Sequence, residues 1–283
     1  MSRRTPAALR YYGRSVLDLL RDIEPRITVL RLFAPGNLAG DGPHCIHLRR
    51  IGASFLVRSA MDVWSVKETF VDRLYERYGF AIEPDWTVVD VGAAIGEFTV
   101  FAARVPGTTV VACEPFPGSV DLLRQNVALN LLENVTVIPK AIAAEAGIML
   151  LDLRGEEPLE FVSALQRGGT GVIRIPDGHI AIQAIPLTEV LAGMPRPHID
   201  LMKLDCEGAE YEILMLAPAE ALAAVDRIVM EYHDRTTAHT HPELERFLTD
   251  AGFVVCSVPN VVHPDEIGYL WAARRDLPVA ANA

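Results

Sequence analysis

The stretch WTVVDVGAAIGEFT, residues 86–99, decides the fold of this chain. The valines around Asp90 in Thr87–Val91 are typical of a strand that is buried on both faces of a parallel sheet, and helical spacing follows the loop. Gly92 and Gly96 lie in that loop, where the missing Cβ lets the backbone adopt positive φ and approach a ligand closely. The stretch therefore predicts a strand that ends in a tight loop against an adenosine-containing ligand.

The composition of the chain limits its class. Its 283 residues are half hydrophobic, which is enough for a sizeable core. The formal net charge of −11 argues against a nucleic-acid partner, because phosphate binding needs clustered Lys and Arg. No apolar stretch reaches the roughly 18 residues of a membrane span, so we expect no stable membrane insertion. The four cysteines form no CxxC pair, which favours a reducing cytoplasm over a disulfide framework or a zinc knuckle.

We expect two regions, an extension over residues 1–80 and an α/β domain over residues 81–283. In the extension, apolar residues at helical spacing predict an amphipathic helix over Pro6–Ile23. Two apolar segments within His44–Ser59 are separated by a glycine and predict a β-hairpin. A Ser-x-x-Glu pair at Ser65–Glu68 predicts the start of a further helix by a capping box.

After Asp90 the pattern alternates between strand and helix, which is typical of a Rossmann-like, doubly wound parallel sheet. Six further strands complete a predicted seven-stranded sheet: Thr109–Cys113, Val135–Pro139, Ile199–Leu204, Arg227–Glu231, Phe253–Val258 and Ile267–Ala273. The region between the third and fourth of the seven strands is irregular. Within it we interpret residues 156–178 as a flap over the substrate, with a plain surface loop equally open.

Two acids accompany the glycine loop. Asp90 lies two residues before Gly92, and Glu114 ends the next strand, where a carboxylate can accept both hydroxyls of a ribose. A solvated strand end remains an alternative for Glu114. A nicotinamide-dinucleotide enzyme shows Gly-x-Gly-x-x-Gly, whereas this loop has Ala94 between two glycines four residues apart. That spacing suits S-adenosylmethionine better than NAD.

A second group of polar residues lies in IDLMKLDCEGAEYEIL, residues 199–214. Asp205 comes where a buried strand meets its loop, and ligands of open α/β sheets bind at such carboxyl ends. Lys203 inside the strand needs a carboxylate partner or an open cavity, because an unpaired buried charge is costly. Glu207 and Glu210 crowd the start of the next helix, where capping is the alternative to a functional role.

A third group ends the strand in IVMEYHD, residues 228–234. Glu231 and His233 are two residues apart and point to one face of an extended segment, so they could converge on one substrate hydroxyl. A histidine satisfied in the core or solvated is the alternative for His233. A divalent ion held by Asp205, Glu231 and His233 is also open, since oxygen and imidazole ligands suit such ions.

These segments together resemble the FkbM family of S-adenosylmethionine-dependent methyltransferases over roughly residues 50–275. The resemblance is carried by four motifs in order: DVGAAIG at 90–96, EPFP at 114–117, KLDCEGAE at 203–210 and EYH at 231–233. One departure is Ala94, where the family usually has Asn. The resemblance implies a class I methyltransferase fold and O-methyl transfer to a hydroxyl of a small molecule such as a sugar or a specialised metabolite.

The resemblance also assigns the predicted site residues. Those expected to bind the cofactor are Asp90, Gly92, Ala93, Ala94, Gly96, Glu97, Glu114, Pro115, Ala141, Ile142 and Asp205. Those expected to face the acceptor or to orient the groups that do are His233, Asp205, Glu231 and Lys203. His233 is the first candidate for the base because the ordinary pKa of histidine, about 6.5, lies near working pH. Asp205 could instead bind the amine of the cofactor.

Two other enzyme classes, and a non-catalytic module that only binds the cofactor, stay open at this point. A nicotinamide-dependent oxidoreductase could share the fold, although the chain shows no convincing Tyr-x-x-x-Lys pair. A divalent-metal-dependent O-methyltransferase would use the third group as ligands. No pattern in the sequence specifies the acceptor or the oligomeric state.

Overall fold

The computed structural model describes residues 6–34, 36, 38–40, 42–152, 160–166, 175 and 177–277. The α-helices are α1 (Pro6–Asp22), α2 (Arg26–Leu32), α3 (Ala60–Lys67), α4 (Glu97–Ala103), α5 (Pro117–Leu129), α6 (Leu187–Ala192), α7 (Glu210–Met215), α8 (Ala219–Ala223) and α9 (His241–Asp250). A π-helical turn, Glu68–Asp72, and a 3₁₀ segment, Leu74–Gly79, follow α3. Within the described ranges, no helix has both the length and the apolar character needed to cross a membrane.

The strands fall into three sheets. They are β1 (Ile23–Glu24), β2 (His44–Leu48), β3 (Ala53–Val57), β4 (Thr87–Val91), β5 (Thr109–Cys113), β6 (Val135–Ile138), β7 (Ala141–Ile142), β8 (Gly147–Asp152), β9 (Glu160–Gln166), β10 (His179–Ile185), β11 (Leu201–Leu204), β12 (Arg227–His233), β13 (Phe253–Pro259) and β14 (Ile267–Arg274). The largest sheet has the order β13-β14-β12-β11-β4-β5-β6. Strand β14 is antiparallel to both neighbours, and the other pairings are parallel. This confirms the predicted Rossmann-like sheet of seven strands.

The topology creates a crevice at the carboxyl ends of β4 and β11. The chain passes from β4 to β5 and β6 on one side, and later returns to β11 and β12 on the other. Such a switch point is where open α/β sheets bind their ligands, because the connections diverge there. Leu204 pairs with Val91, and the Asp205 N–H donates to the Val91 carbonyl at 3.1 Å. The loops after β4 and β11 therefore begin side by side.

The extension has the predicted helix and hairpin, to which β1 adds a third strand. The predicted capping box at Ser65 is wrong, because α3 begins earlier, at Ala60. Ser59 caps α3, its Oγ accepting the Asp62 N–H at 3.2 Å, whereas the Ser65 hydroxyl donates to the Met61 carbonyl inside the helix. A serine inside a helix can donate to a backbone carbonyl of the preceding turn, so the Ser-x-x-Glu spacing alone does not determine where a helix begins.

Two asparagines, Asn126 of α5 and Asn130 at its C-terminal end, attach β3 of the extension to that helix. The Asn126 amide accepts the Leu56 N–H at 2.7 Å and donates to the Leu56 carbonyl at 3.2 Å. Asn130, one helical turn later, makes the same pair of bonds with Ser54. Asn126 also donates to the Ile95 carbonyl at 2.8 Å. The helix thus satisfies an edge of β3 that would otherwise expose unpaired backbone groups.

We expect the substitution Asn126→Ala to lower the free energy of unfolding by about 2–4 kcal/mol. The reason is that Asn126 is fully buried and its loss leaves backbone groups of Leu56 and Ile95 without partners. Urea unfolding followed by circular dichroism measures the change. Gln125→Ala, at the neighbouring exposed position of α5, is the matched control. Equal stability of the two variants would show that these bonds do not stabilise the extension.

The region between β6 and β11, expected to be irregular, contains the third sheet, of order β7-β10-β8-β9. Strand β9 lies inside the predicted flap over residues 156–178. Apart from β9 and residues 175, 177 and 178, the predicted flap lies outside the described residues. Strand β7 pairs with β10 through Ala141 and Ile142, which places these two residues beside the crevice.

Candidate active site

A cavity of about 480 Å³ lies at the crevice between β4 and β11. This volume is within the range of roughly 300–1,000 Å³ typical of small-molecule sites. Eight of the residues predicted to bind the cofactor line it: Gly92, Ala94, Glu97, Glu114, Pro115, Ala141, Ile142 and Asp205. The cavity therefore brings together residues that follow β4, β5 and β11 with the two residues of β7.

The glycine loop approaches the β11 loop so closely that a side chain cannot fit between them. Gly92 has φ of +73°, and a Cβ there would lie 1.9 Å from the Asp205 carbonyl oxygen. Gly96 has φ of +87°, and a Cβ there would lie 2.3 Å from Leu123 Cδ1. Ala94 also has a positive φ, 45°, which is strained for a residue with a side chain. The two glycines thus let the loop pack tightly against the β11 loop and α5, and Gly92 and Ala94 line the cavity.

Three of the predicted cofactor residues support the loop instead of lining the cavity: Asp90, Ala93 and Gly96. Asp90 is fully buried, where it accepts a hydrogen bond from Thr99 Oγ1 at 2.6 Å. Its other oxygen lies 3.3 Å from Lys203 Nζ. Asp90 is thus a partner of the buried lysine beneath the loop.

Lys203 of β11 contacts both the glycine loop and the loop that follows β11. Its ammonium donates to the Gly92 carbonyl at 2.9 Å and lies 3.8 Å from Asp205 Oδ2. Burial by itself would lower the pKa of Lys203, but the charges of Asp90 and Asp205 outweigh it and raise that pKa. Lys203 therefore stays protonated, and it holds both the glycine loop and Asp205 in place.

Glu114 lines the cavity at the end of β5. Its Oε2 accepts the Ala94 N–H and its Oε1 accepts the Phe116 N–H, both at 2.8 Å. Burial raises the pKa of Glu114 to about 7, although both backbone hydrogen bonds act to lower it. Each oxygen keeps a further lone pair, so the carboxylate can still accept hydroxyl donors from a ligand.

His233 lies between two carboxylates. Its Nδ1 is 3.3 Å from Glu210 Oε1, and its Nε2 is 3.4 Å from Glu207 Oε2. Glu210 is fully buried and accepts the N–H groups of Cys206 and Gly208, the two residues that flank Glu207. Glu207 lines the cavity and has φ of +54°. The side chains of Glu210, His233 and Glu207 thus contact one another in series, from the buried start of α7 to the wall of the cavity.

The prediction that His233 is the base assumed the ordinary pKa of histidine, and in the structure the pKa of His233 differs from that value. Burial lowers it, but the hydrogen bond and charge of Glu210, with the charges of Glu207 and Asp205, raise it to about 10. His233 is therefore an imidazolium at neutral pH, and both ring nitrogens donate. A cation of this kind can orient Glu207 but cannot accept a proton near pH 7.

Glu231 does not line the cavity. Burial and the charge of Asp205 raise the pKa of Glu231 well above its ordinary range, and His233 lowers it only in part. Asp205 itself accepts a hydrogen bond from the Tyr75 hydroxyl at 3.1 Å. Tyr75 belongs to the extension, 130 residues away in sequence, and no spacing in the chain identifies it beforehand.

The extension supplies a wall of the cavity that the sequence did not predict. Its lining residues are Arg58, Ser59, Met61, Asp62 and Ser65. Arg58 is held by Asp62, with Nε 3.2 Å from Oδ2, and its Nη1 donates to Ser119 Oγ of α5 at 3.3 Å. The start of α3 is therefore held against α5 at the crevice.

The candidate metal ligands are grouped differently from the prediction. Donor atoms of Asp205, Glu210 and His233 lie within 4.8 Å of one another, and Glu231 is not among them. Both oxygens of Glu210 accept backbone N–H groups, and both nitrogens of His233 face carboxylates. Since this donor set is already engaged, a metal there would have to displace the hydrogen bonds that shape the loop.

Comparison with known proteins gives a family match. A model of the methyltransferase FkbM domain matches residues 90–255, more than half of the chain. The 31-O-demethyl-FK506 methyltransferase FkbM of Streptomyces tacrolimicus is 29% identical over 258 residues, which cover 83% of this chain and 95% of that protein. The methyltransferase sdnD of Sordaria araneosa is 29% identical over 234 residues, 74% of this chain and 89% of that protein.

Among solved structures, magnesium protoporphyrin IX methyltransferase (ChlM) from Synechocystis PCC 6803 with bound SAM is similar with a TM-score of 0.43. Its sequence is 14% identical, and the match covers 75% of this chain and 83% of that one.

Proposed function

The chain belongs to the FkbM family of methyltransferases, and on this premise we propose that it transfers the methyl group of S-adenosylmethionine to a hydroxyl of a small molecule. Family membership makes it a methyltransferase and leaves no reason to keep the nicotinamide alternative. The cofactor and the class of acceptor are the proposal. We also keep the cytoplasm as the expected location, because the four cysteines are unpaired.

The observation that carries the proposal is the cavity between the glycine loop and Glu114. Gly92 and Ala94 line the cavity on the side of the glycine loop, and the Glu114 carboxylate, which also lines it, would accept the hydroxyls of a ribose. Ala141 and Ile142 offer an apolar surface for an adenine ring. These features suit the adenosine part of S-adenosylmethionine.

Two observations favour a small hydroxyl acceptor. The relative from Streptomyces tacrolimicus is named as a 31-O-demethyl-FK506 methyltransferase, which places the transfer on an oxygen in that protein. The net charge of −11 disfavours a nucleic acid as acceptor. The wall formed by the start of α3, including Met61, would contact the acceptor or close the cavity over it.

When bound, S-adenosylmethionine supplies a methyl group on a sulfonium, which is already activated toward an oxygen nucleophile. The residues of the chain then have to orient the acceptor and take its proton. We place that proton on the Glu207 carboxylate, with Asp205 beside it as a hydrogen-bond acceptor for the substrate. His233 becomes a positioning residue that fixes Glu207, and Lys203 with Tyr75 fixes Asp205. We assign Glu231 no direct part in the transfer, because it does not line the cavity.

A transfer assay with isotopically labelled methyl donor tests this function. The purified protein is incubated with a panel of sugars, polyketides and phenols, and products are detected by mass spectrometry. We expect a mass increase of one methyl group on an oxygen, unchanged by a chelator because no ion is needed. Activity lost with the chelator and restored by magnesium would support the metal-dependent alternative. Transfer to nitrogen or carbon acceptors alone would contradict the proposed acceptor class.

A further inference from the structure

Glu97, the first residue of α4, lines the cavity with an unsatisfied carboxyl oxygen. Glu97 is only 6% exposed, and its Oε2 has no hydrogen-bond partner among the described residues. A buried carboxyl oxygen without a donor is costly, so such an atom at a ligand cavity indicates a missing partner. The partner has to be a hydrogen-bond donor that enters from the cavity.

The charged groups around Glu97 indicate the sign of the charge on that partner. Lys203 of β11 faces Glu97, but its hydrogen bond and ion pairs go to Gly92, Asp90 and Asp205. Asp90 of β4 and Asp205 of the β11 loop face it as like charges. Burial has the largest effect on Glu97 and, with the charges of Asp90 and Asp205, raises its pKa to about 8. The charge of Lys203 lowers that pKa only in part. Glu97 is therefore mostly protonated at neutral pH, and a cation beside it would favour its ionised form.

We propose that Glu97 is the counter-ion of the α-ammonium of S-adenosylmethionine, and that its carboxyl releases a proton to solvent when the cofactor binds. In this exchange the O–H bond of the carboxyl breaks, the proton leaves to water or buffer, and the carboxylate accepts an N–H of the ammonium. Asp205, which also lines the cavity, adds a second negative charge. This inference rests on the proposed cofactor, because it assigns the amino-acid end of that molecule to one side chain.

Calorimetry with three probes tests the assignment. S-adenosylhomocysteine carries the ammonium and the carboxylate, S-adenosyl-3-thiopropylamine carries only the ammonium, and 5′-methylthioadenosine carries neither. We expect Glu97→Gln to weaken the first two by roughly 10- to 100-fold and to leave methylthioadenosine unchanged. Glu212→Gln, at an exposed glutamate of α7 outside the cavity, is the control and should change none of the three.

Proton release gives a second readout that does not depend on affinity. Binding heats measured near pH 7 in phosphate and in Tris should differ by the ionisation heat of the buffer, because a proton leaves the protein. Glu114, with a pKa of about 7, also faces the cavity, but its contribution should be common to all three probes. The extra release with the two ammonium probes should vanish in Glu97→Gln, and also in the unsubstituted protein at pH 9, where Glu97 is already ionised.

The outcomes separate this inference from the proposed function. If the unsubstituted protein binds none of the probes, the proposed cofactor fails. If it binds them and Glu97→Gln weakens all three equally, or none, Glu97 is not the counter-ion although the cofactor stands. Thermal melting of the variant checks folding, which we expect to be retained because glutamine resembles the protonated acid.

Discussion

Replacing Gly92 with alanine should weaken the binding of S-adenosylhomocysteine by about 100-fold or more. The added Cβ would lie 1.9 Å from the Asp205 carbonyl oxygen, so one of the two loops must move away from the other. The move displaces the backbone that approaches the ligand, and it breaks the hydrogen bond from Lys203 to the Gly92 carbonyl. A misplacement near 1 Å at such a site is enough for a loss of this order. Calorimetry measures the affinity directly.

The control separates the clash from the backbone conformation. Gly52, between β2 and β3, has φ of +69°, close to the +73° of Gly92, but a Cβ there meets nothing within 4 Å. Gly52→Ala should therefore lower the free energy of unfolding by about 1 kcal/mol, because alanine is strained at a positive φ, and should leave binding unchanged. Circular dichroism checks that both variants fold. Equal affinity of the Gly92 variant and the unsubstituted protein would contradict the role given to the glycine loop.

Glu207→Gln should lower the turnover of methyl transfer by about 100-fold or more while leaving the affinity for S-adenosylhomocysteine within a factor of about two. The change removes the carboxylate to which we assign the acceptor proton, and a positioned proton acceptor contributes 10²- to 10⁴-fold. It keeps the size of the side chain at the strained position after Cys206. Single-turnover kinetics on an acceptor identified by the transfer assay gives the rate of the chemical step.

His233→Ala tests the positioning role beside it. We expect a smaller fall in turnover, because Glu207 keeps its carboxylate but loses the imidazolium 3.4 Å away. The rate of the alanine variant should keep its dependence on pH between 6 and 8, since His233 does not titrate there in the intact protein. Full turnover in Glu207→Gln together with a large loss in His233→Ala would return the base to His233.

The main sheet could be predicted because its signals are local. The segments Thr87–Val91 and Ile199–Leu204 are mostly apolar, which is typical of strands buried on both faces even though Asp90 and Lys203 interrupt them, and glycines follow where each strand ends. The carboxyl ends of parallel strands meet at one edge, so acids at those ends could be placed together without knowing any contact. The cavity residues Glu114 and Asp205 follow from this rule.

The parts that were missed depend on contacts between distant segments. Tyr75 and Arg58 reach the crevice because Asn126 and Asn130 attach the extension to α5, a contact over about 70 residues that leaves no periodic signal. The charge of His233 depends on Glu210 and Glu207, which face it only after folding. The position of Asp90 behind the loop likewise follows from Lys203 and Thr99, and a strand pattern cannot distinguish a ligand-facing acid from one paired in the core.

The central claim is that the crevice between β4 and β11 binds S-adenosylmethionine, and isothermal titration of the unsubstituted protein tests it most directly. The protein is titrated separately with S-adenosylmethionine, S-adenosylhomocysteine and NAD under one buffer condition. We predict micromolar binding of the two adenosyl-sulfur compounds with one site per chain, and no measurable heat with NAD. Binding of NAD alone, or no binding of either sulfur compound, would contradict the account.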